Sequence, residues 1–135
     1  MHQGYQAYKR SGIETASPSQ LLLALYDGAI RFLGRAQNGL EKNDLAVVNE
    51  NLARTQAIIM ELIATLDMDQ GEIPQRLMDL YIYLQRALMD ANTQKDGAKI
   101  AEVEGIVRKL REAWRGAIQQ VNRGTAARTT LSTGA

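Results

Sequence analysis

Cysteine is absent from these 135 residues, which excludes disulfides and thiolate metal sites. Histidine occurs once, as His2, so the two Glu-x-x-His pairs of a di-iron helical bundle cannot be assembled. For the same reason the serines and threonines of the folded region have no imidazole base for a triad. The acidic residues fall on polar helix faces or in breaks, which leaves no carboxylate-only metal site, and GLEKND lacks the lysine and hydroxyl of a phosphate loop. Neither an enzyme nor a cofactor is expected. No apolar run approaches the ~20 residues of a membrane span, and MHQGYQAYKRSG lacks a signal-peptide core. The expected location is the cytoplasm, without membrane insertion.

Charge is nearly balanced at +1 but unevenly spread. Residues 1–94 carry 8 basic and 11 acidic side chains, and residues 95–135 carry 8 and 4. The basic C-terminal quarter reads as a solvated helix face with a frayed tail, or as a contact for RNA or an acidic protein. Aromatic residues are scarce there, Trp114 alone standing among the basic ones. No base-stacking platform for nucleic acid is expected.

What is present is helical. Ser17, Pro18 and Gln20 form a helix start with a capping box. From Pro18 to Lys42 the apolar residues Leu22, Leu25, Tyr26, Ala29, Ile30, Phe32, Leu33, Ala36 and Leu40 cover roughly half the circumference. Asp44 can cap a second helix, Leu45 to Met68. Its seam is Leu45, Val48, Leu52, Ile59, Ile63 and Leu66, with a shoulder of Val47, Ile58 and Leu62. DQGEIP breaks the chain before a third helix, Pro74 to Asn92. That helix carries a seam of Leu77, Leu80, Tyr81, Leu84, Leu88 and Ala91, and almost opposite it Met78, Ile82 and Met89. A helix apolar on two faces is buried between layers or offers one face to a partner, and four helices cannot enclose one of their number. A fourth helix, Asp96 to Val121, is one-sided, with Ile100, Val103, Ile106, Val107, Leu110, Trp114, Ala117, Ile118 and Val121 facing inward.

Short connections make antiparallel neighbours. The expected fold is all-α, an antiparallel up-down four-helix bundle over residues 18–122. An N-terminal strap (1–17) precedes it and a disordered tail (123–135) follows. The strap carries Tyr5, Tyr8 and Ile13. Two roles stay open for it: a fixed packing arm, or a displaceable cover over apolar bundle surface.

An AY dipeptide, TASPSQLLLALYDGAI, TQAIIMELIATLDMDQGEI, LYIYLQRALMDANTQKD and KLREAW occur in that order. Together, over about residues 5–120, they closely resemble the flagellar secretion chaperone family FliS. The pattern departs at GEIPQRL, where Pro74 and Arg76 replace the family's alanine and asparagine. The resemblance implies a bundle that binds the disordered C-terminal segment of flagellin in apolar grooves. It would prevent premature polymerisation and present the client to the flagellar type III export gate. It also implies that the client wraps the bundle and that the N-terminal segment covers part of the surface when no client is bound.

Combined with the surplus apolar stripes, the resemblance puts the client on Tyr8, Ile13, Leu21, Leu22, Tyr26, Ile58, Leu62, Met78, Tyr81, Ile82 and Met89. Core packing competes for each. Asn92 and Lys95, in the AN-x-x-KD stretch, either hydrogen-bond the client or secure the loop. The resemblance leaves open which flagellin is served, whether a co-chaperone attends, and whether the free chain is a homodimer. Two rivals stand: a bundle that buries its surplus apolar surface by self-association, and a weaker one, a helical RNA binder using Lys95 to Arg128.

Overall fold

The computed structural model describes residues 17–133. Its elements are α1 (Pro18–Glu41), α2 (Leu45–Ala64), α3 (Glu72–Gln94) and α4 (Gly97–Thr133). α1 and α3 each pack against both α2 and α4. The four helices therefore form a closed ring in up-down-up-down order, as expected. The expectations for Tyr8, Ile13 and the rest of the strap before Ser17 lie outside the described residues.

Local chemistry sets the helix ends. The Gln20 amide donates to Ser17 Oγ at 3.2 Å and the Ser17 amide to Gln20 Oε1 at 3.0 Å, which satisfies two orphan donors at once. Asp44 accepts from the Val47 amide and caps α2. Asp96 accepts from the amides of Ala98 and Lys99 and does the same for α4. The α1–α2 turn is tight because Asn43 adopts a left-handed φ of 53°, which asparagine tolerates. A side chain at Gly39 would meet Val47 Cγ1 at 2.9 Å, and one at Gly97 would meet Leu40 Cδ2 at 3.0 Å. This end of the bundle is drawn closed. Pro74 sits buried in the first turn of α3, so its departure from the family pattern leaves the helix intact.

The core runs through Leu33, Leu52, Ile59, Leu84, Leu88, Ile100 and Val107. Thr55 and Asn51 are buried with it. Thr55 Oγ1 donates to the Asn51 carbonyl at 2.9 Å and Asn51 Nδ2 to the Val47 carbonyl at 2.8 Å, so neither polar group is stranded.

One polar cluster crosses the bundle. Tyr26 on α1 and Tyr81 on α3 lie diagonally opposite, 0% and 1% exposed, and their hydroxyls hydrogen-bond each other. Trp114 Nε1 on α4 donates to Tyr26 Oη at 3.0 Å. Burial pushes both hydroxyls above the ordinary tyrosine range, and for Tyr81 the neighbouring Tyr26 pushes the same way. Beside the cluster the Arg111 guanidinium pairs with the Asp27 carboxylate, tying α4 to α1 at the surface.

Three details differ from the sequence reading. Ile58 and Leu62 are buried core residues rather than a shoulder, whereas Leu45 is exposed. The cause is that α2 is flanked by α1 and α3, which turns its buried arc toward those positions. Ala117 and Val121 face solvent, Val121 at 66%. With 37 residues against 20 to 24 in the others, α4 outruns its neighbours. The helix also continues to Thr133, past the Val121 end read from the sequence. No proline interrupts that stretch, and each residue added to an existing helix gains a backbone bond without a new nucleus.

Replacing Tyr26 with Phe strands the Trp114 indole N–H and the Tyr81 hydroxyl, and is expected to cost about 1–3 kcal/mol in urea unfolding. Tyr81→Phe should cost less, since the Trp114–Tyr26 bond survives. The raised tyrosines stay neutral in the fold and ionise more readily once unfolded. Their contribution is complete below about pH 10 and is lost as pH rises above it. Stability should therefore fall above about pH 10, more steeply in the wild type than in the Tyr26→Phe/Tyr81→Phe double variant. Parallel profiles would assign the alkaline loss elsewhere.

Candidate functional site

Above the tyrosine pair the helices do not close. The first turns of α1 carry Leu21, Leu22 and Leu25, the last turns of α2 carry Ala57 and Ile58, and the first turns of α3 carry Ile73, Pro74 and Leu77. With Leu66, Tyr81 and Trp114 they surround a cleft of about 760 Å³. Residues 65–71 connect α2 to α3. Asp67 there accepts from the Asp69 amide and turns to water, while Leu66 of the same connection lines the cleft. Among the described residues Glu61 and Asp67 are the charged ones of the rim and no cation lines it. The cleft suits an apolar occupant.

A second apolar surface follows the outer α2–α3 seam. Gln85 Nε2 donates to the Gln56 carbonyl at 2.9 Å, which fixes the antiparallel register. Met60 then falls beside Ile82, and Ile63 beside Met78. Met60, Ile82 (41%) and Met89 (61%) are exposed and Met78 is half-buried. Methionine adapts its shape to varied partners. At the far end of the strip Lys95 Nζ donates to Asn49 Oδ1 and Asn92 Oδ1. These bonds secure the α3–α4 connection, where Lys95 itself has a left-handed φ of 51°.

The predicted site residues thus fall into three groups. Leu21, Leu22, Ile58 and Tyr81 line the cleft. Met78, Ile82 and Met89 border the α2–α3 strip, with Asn92 and Lys95 at its end. Tyr26 and Leu62 are interior and line neither surface; Tyr26 acts from below, holding Tyr81 and Trp114. Sequence reasoning missed Ala57, Leu66, Ile73, Leu77 and Trp114 as walls. Ile73 carried a signal, an isoleucine one turn before Leu77 that is 70% exposed. Among the described residues no group of His, Cys, Asp and Glu could hold a metal ion, and no helix is long and apolar enough to cross a membrane. The arrangement offers binding surface.

Comparison with known proteins gives a consistent result. The family model described as "Flagellar protein FliS" matches residues 1–121. The chain is 40% identical over 115 residues to the flagellar secretion chaperone FliS of Bacillus subtilis, covering 85% of this chain and 86% of that protein. It is 40% identical over 118 residues to the protein of the same name from Salmonella typhimurium, covering 83% and 87%. The Campylobacter jejuni protein of that name is 36% identical over 112 residues, covering 82% and 88%.

Because Ile73 is mostly solvent-exposed yet lines the cleft, Ile73→Asp should change folding stability by no more than about 0.5 kcal/mol. The same change should weaken binding of an apolar reporter dye about tenfold, the scale of one lost aliphatic contact. Trp114, the single tryptophan, reports occupancy through its emission. Unchanged dye affinity in this variant would place the dye outside the cleft.

Proposed function

This chain belongs to the FliS family of flagellar proteins, and on that premise we propose that it is a cytoplasmic export chaperone for flagellin. It holds the disordered C-terminal segment of its client on the apolar cleft and the α2–α3 strip. That keeps the client from polymerising and in a form that the flagellar export gate can accept. The relatives are named as secretion chaperones, which fits a binding role rather than catalysis.

The observation that carries this reading is the apolar cleft. The bundle is well capped and closed at its other end, yet where α1 begins the described residues leave about 760 Å³ between them, lined mainly by Leu, Ile, Pro, Tyr and Trp. Ordering a disordered segment costs about 2–5 kcal/mol or more. Each aliphatic side chain it buries returns about 1.5–3 kcal/mol, so three such side chains in the cleft offset the ordering.

The cleft is walled by α1, α2 and α3, and the methionine strip follows the outer α2–α3 seam. A segment that uses both passes from one surface to the other, in a helix-in-groove mode at each. Pro18 and Ser19 line the cleft, so the chain preceding them arrives at its mouth. On this reading Tyr8 and Ile13, carried by the segment ahead of Ser17, compete with the client for that surface.

Titration calorimetry of the chain with a peptide from the C-terminal region of its host's flagellin should show one-to-one binding, a negative heat-capacity change and little dependence on salt. In the Ile82→Asp/Met89→Asp variant, affinity should fall at least about tenfold while helicity and the unfolding curve are retained. Full affinity in that variant would remove the strip from the interface. Absence of binding by the folded wild type would overturn the reading in favour of self-association, which sedimentation would then detect.

A further inference from the structure

On the outer face of the α1–α2 pair three guanidinium groups surround a single ring. The Cζ atoms of Arg31, Arg35 and Arg54 lie 5.4, 5.7 and 5.5 Å from the Phe32 centroid. Arg54 shares its charge with Glu50 in an exposed i,i+4 pair. Arg31 and Arg35 are exposed and, among the described residues, pair with no carboxylate. Three like charges on one ring repel one another, and the half-buried phenyl holds them in place through its negative face. A guanidinium attracted to a ring through its charge keeps N–H donors for a carboxylate, which it can grip two bonds at a time.

We propose that this arginine–phenylalanine cluster is a docking site for an acidic segment of a partner protein, one that presents carboxylates on neighbouring turns. The proposal is independent of what fills the cleft. Ala57, a cleft wall, is one turn from Arg54, so an acidic segment can sit beside an occupied cleft. Charge complementarity selects the class of partner. Asp27 and Glu50 flank the cluster along α1 and α2, so the positive field covers only a short stretch. A nucleic-acid strand, with a charge at every phosphate, would run into those carboxylates, whereas a short acidic peptide segment ends before reaching them.

The test uses the full chain and a fluorescein-labelled helical peptide bearing glutamates at i, i+4 spacing along one face, with a glutamine-substituted counterpart. The glutamate peptide should bind saturably and weaken with salt, and the glutamine peptide should not bind. Arg31→Gln/Arg35→Gln should reduce affinity about tenfold with unchanged circular dichroism. Phe32→Leu, which keeps every charge, should reduce it several-fold because the guanidinium groups lose their common ring. Equal binding by the double arginine variant, or no binding by the wild type, would overturn the proposal. So would tighter binding of a single-stranded RNA through the same arginines, or self-association of the free chain that these substitutions abolish.

Discussion

Tyr26, Tyr81 and Trp114 place three polar groups at the centre of an interior that is otherwise almost wholly apolar. They belong to three helices, two of them diagonal and without a shared seam. Leucine and isoleucine contacts are tolerant of sliding, since one aliphatic neighbour is much like the next. A hydroxyl pair with an indole donor is not. Moving any of the three helices by a turn, about 5.4 Å, would leave a buried donor or acceptor unmatched at about 1–3 kcal/mol. The cluster therefore fixes helix register, and with it the height at which the interior stops being filled.

That constraint divides the bundle into two unlike ends. Toward the α1–α2 turn, Gly39 and Gly97 let neighbouring side chains approach where a Cβ would clash, and Gln37 Nε2 bonds the Gly97 carbonyl at 2.9 Å to join α1 to the start of α4. Toward the α2–α3 connection, the tyrosine pair is the last layer to meet across the diagonal, and the apolar first turns of α1 and α3 stand apart above it. Leu25 is buried in the core, while Leu21 and Leu22 remain half-covered walls. A surface left this apolar is kept at some risk of aggregation, which fits a FliS-family protein whose reading here is to cover a client's apolar segment.

Much of this was legible in the sequence because it rests on local chemistry. The Ser17 capping box, the Asp44 cap, the break before Pro74 and the inward faces of α1 and α4 through Trp114 follow from residue type and helical period. The second stripe of α3 was legible too: Ile82 and Met89 are exposed where the period put them. What the period could not give was anything made by several helices at once. It turned Tyr26 and Tyr81 inward but could not say that their hydroxyls meet. It could not gather Ala57, Ile73 and Trp114 into one wall, since they stand on three helices, nor bring Arg54 to the ring of Phe32. Thr55 was passed over because a polar residue reads as exposed until its bond to the Asn51 carbonyl is seen.

We propose that the client segment is held at the end of the bundle set by the tyrosine layer. Amide hydrogen exchange, compared between the free chain and the chain saturated with the flagellin C-terminal segment, tests it most directly. Exchange should slow in the first two turns of α1, the last two of α2 and the first three of α3, while the closed end around Gly39 and Gly97 is unchanged. Protection confined to the closed end or to α4, with the cleft walls exchanging as before, would contradict it.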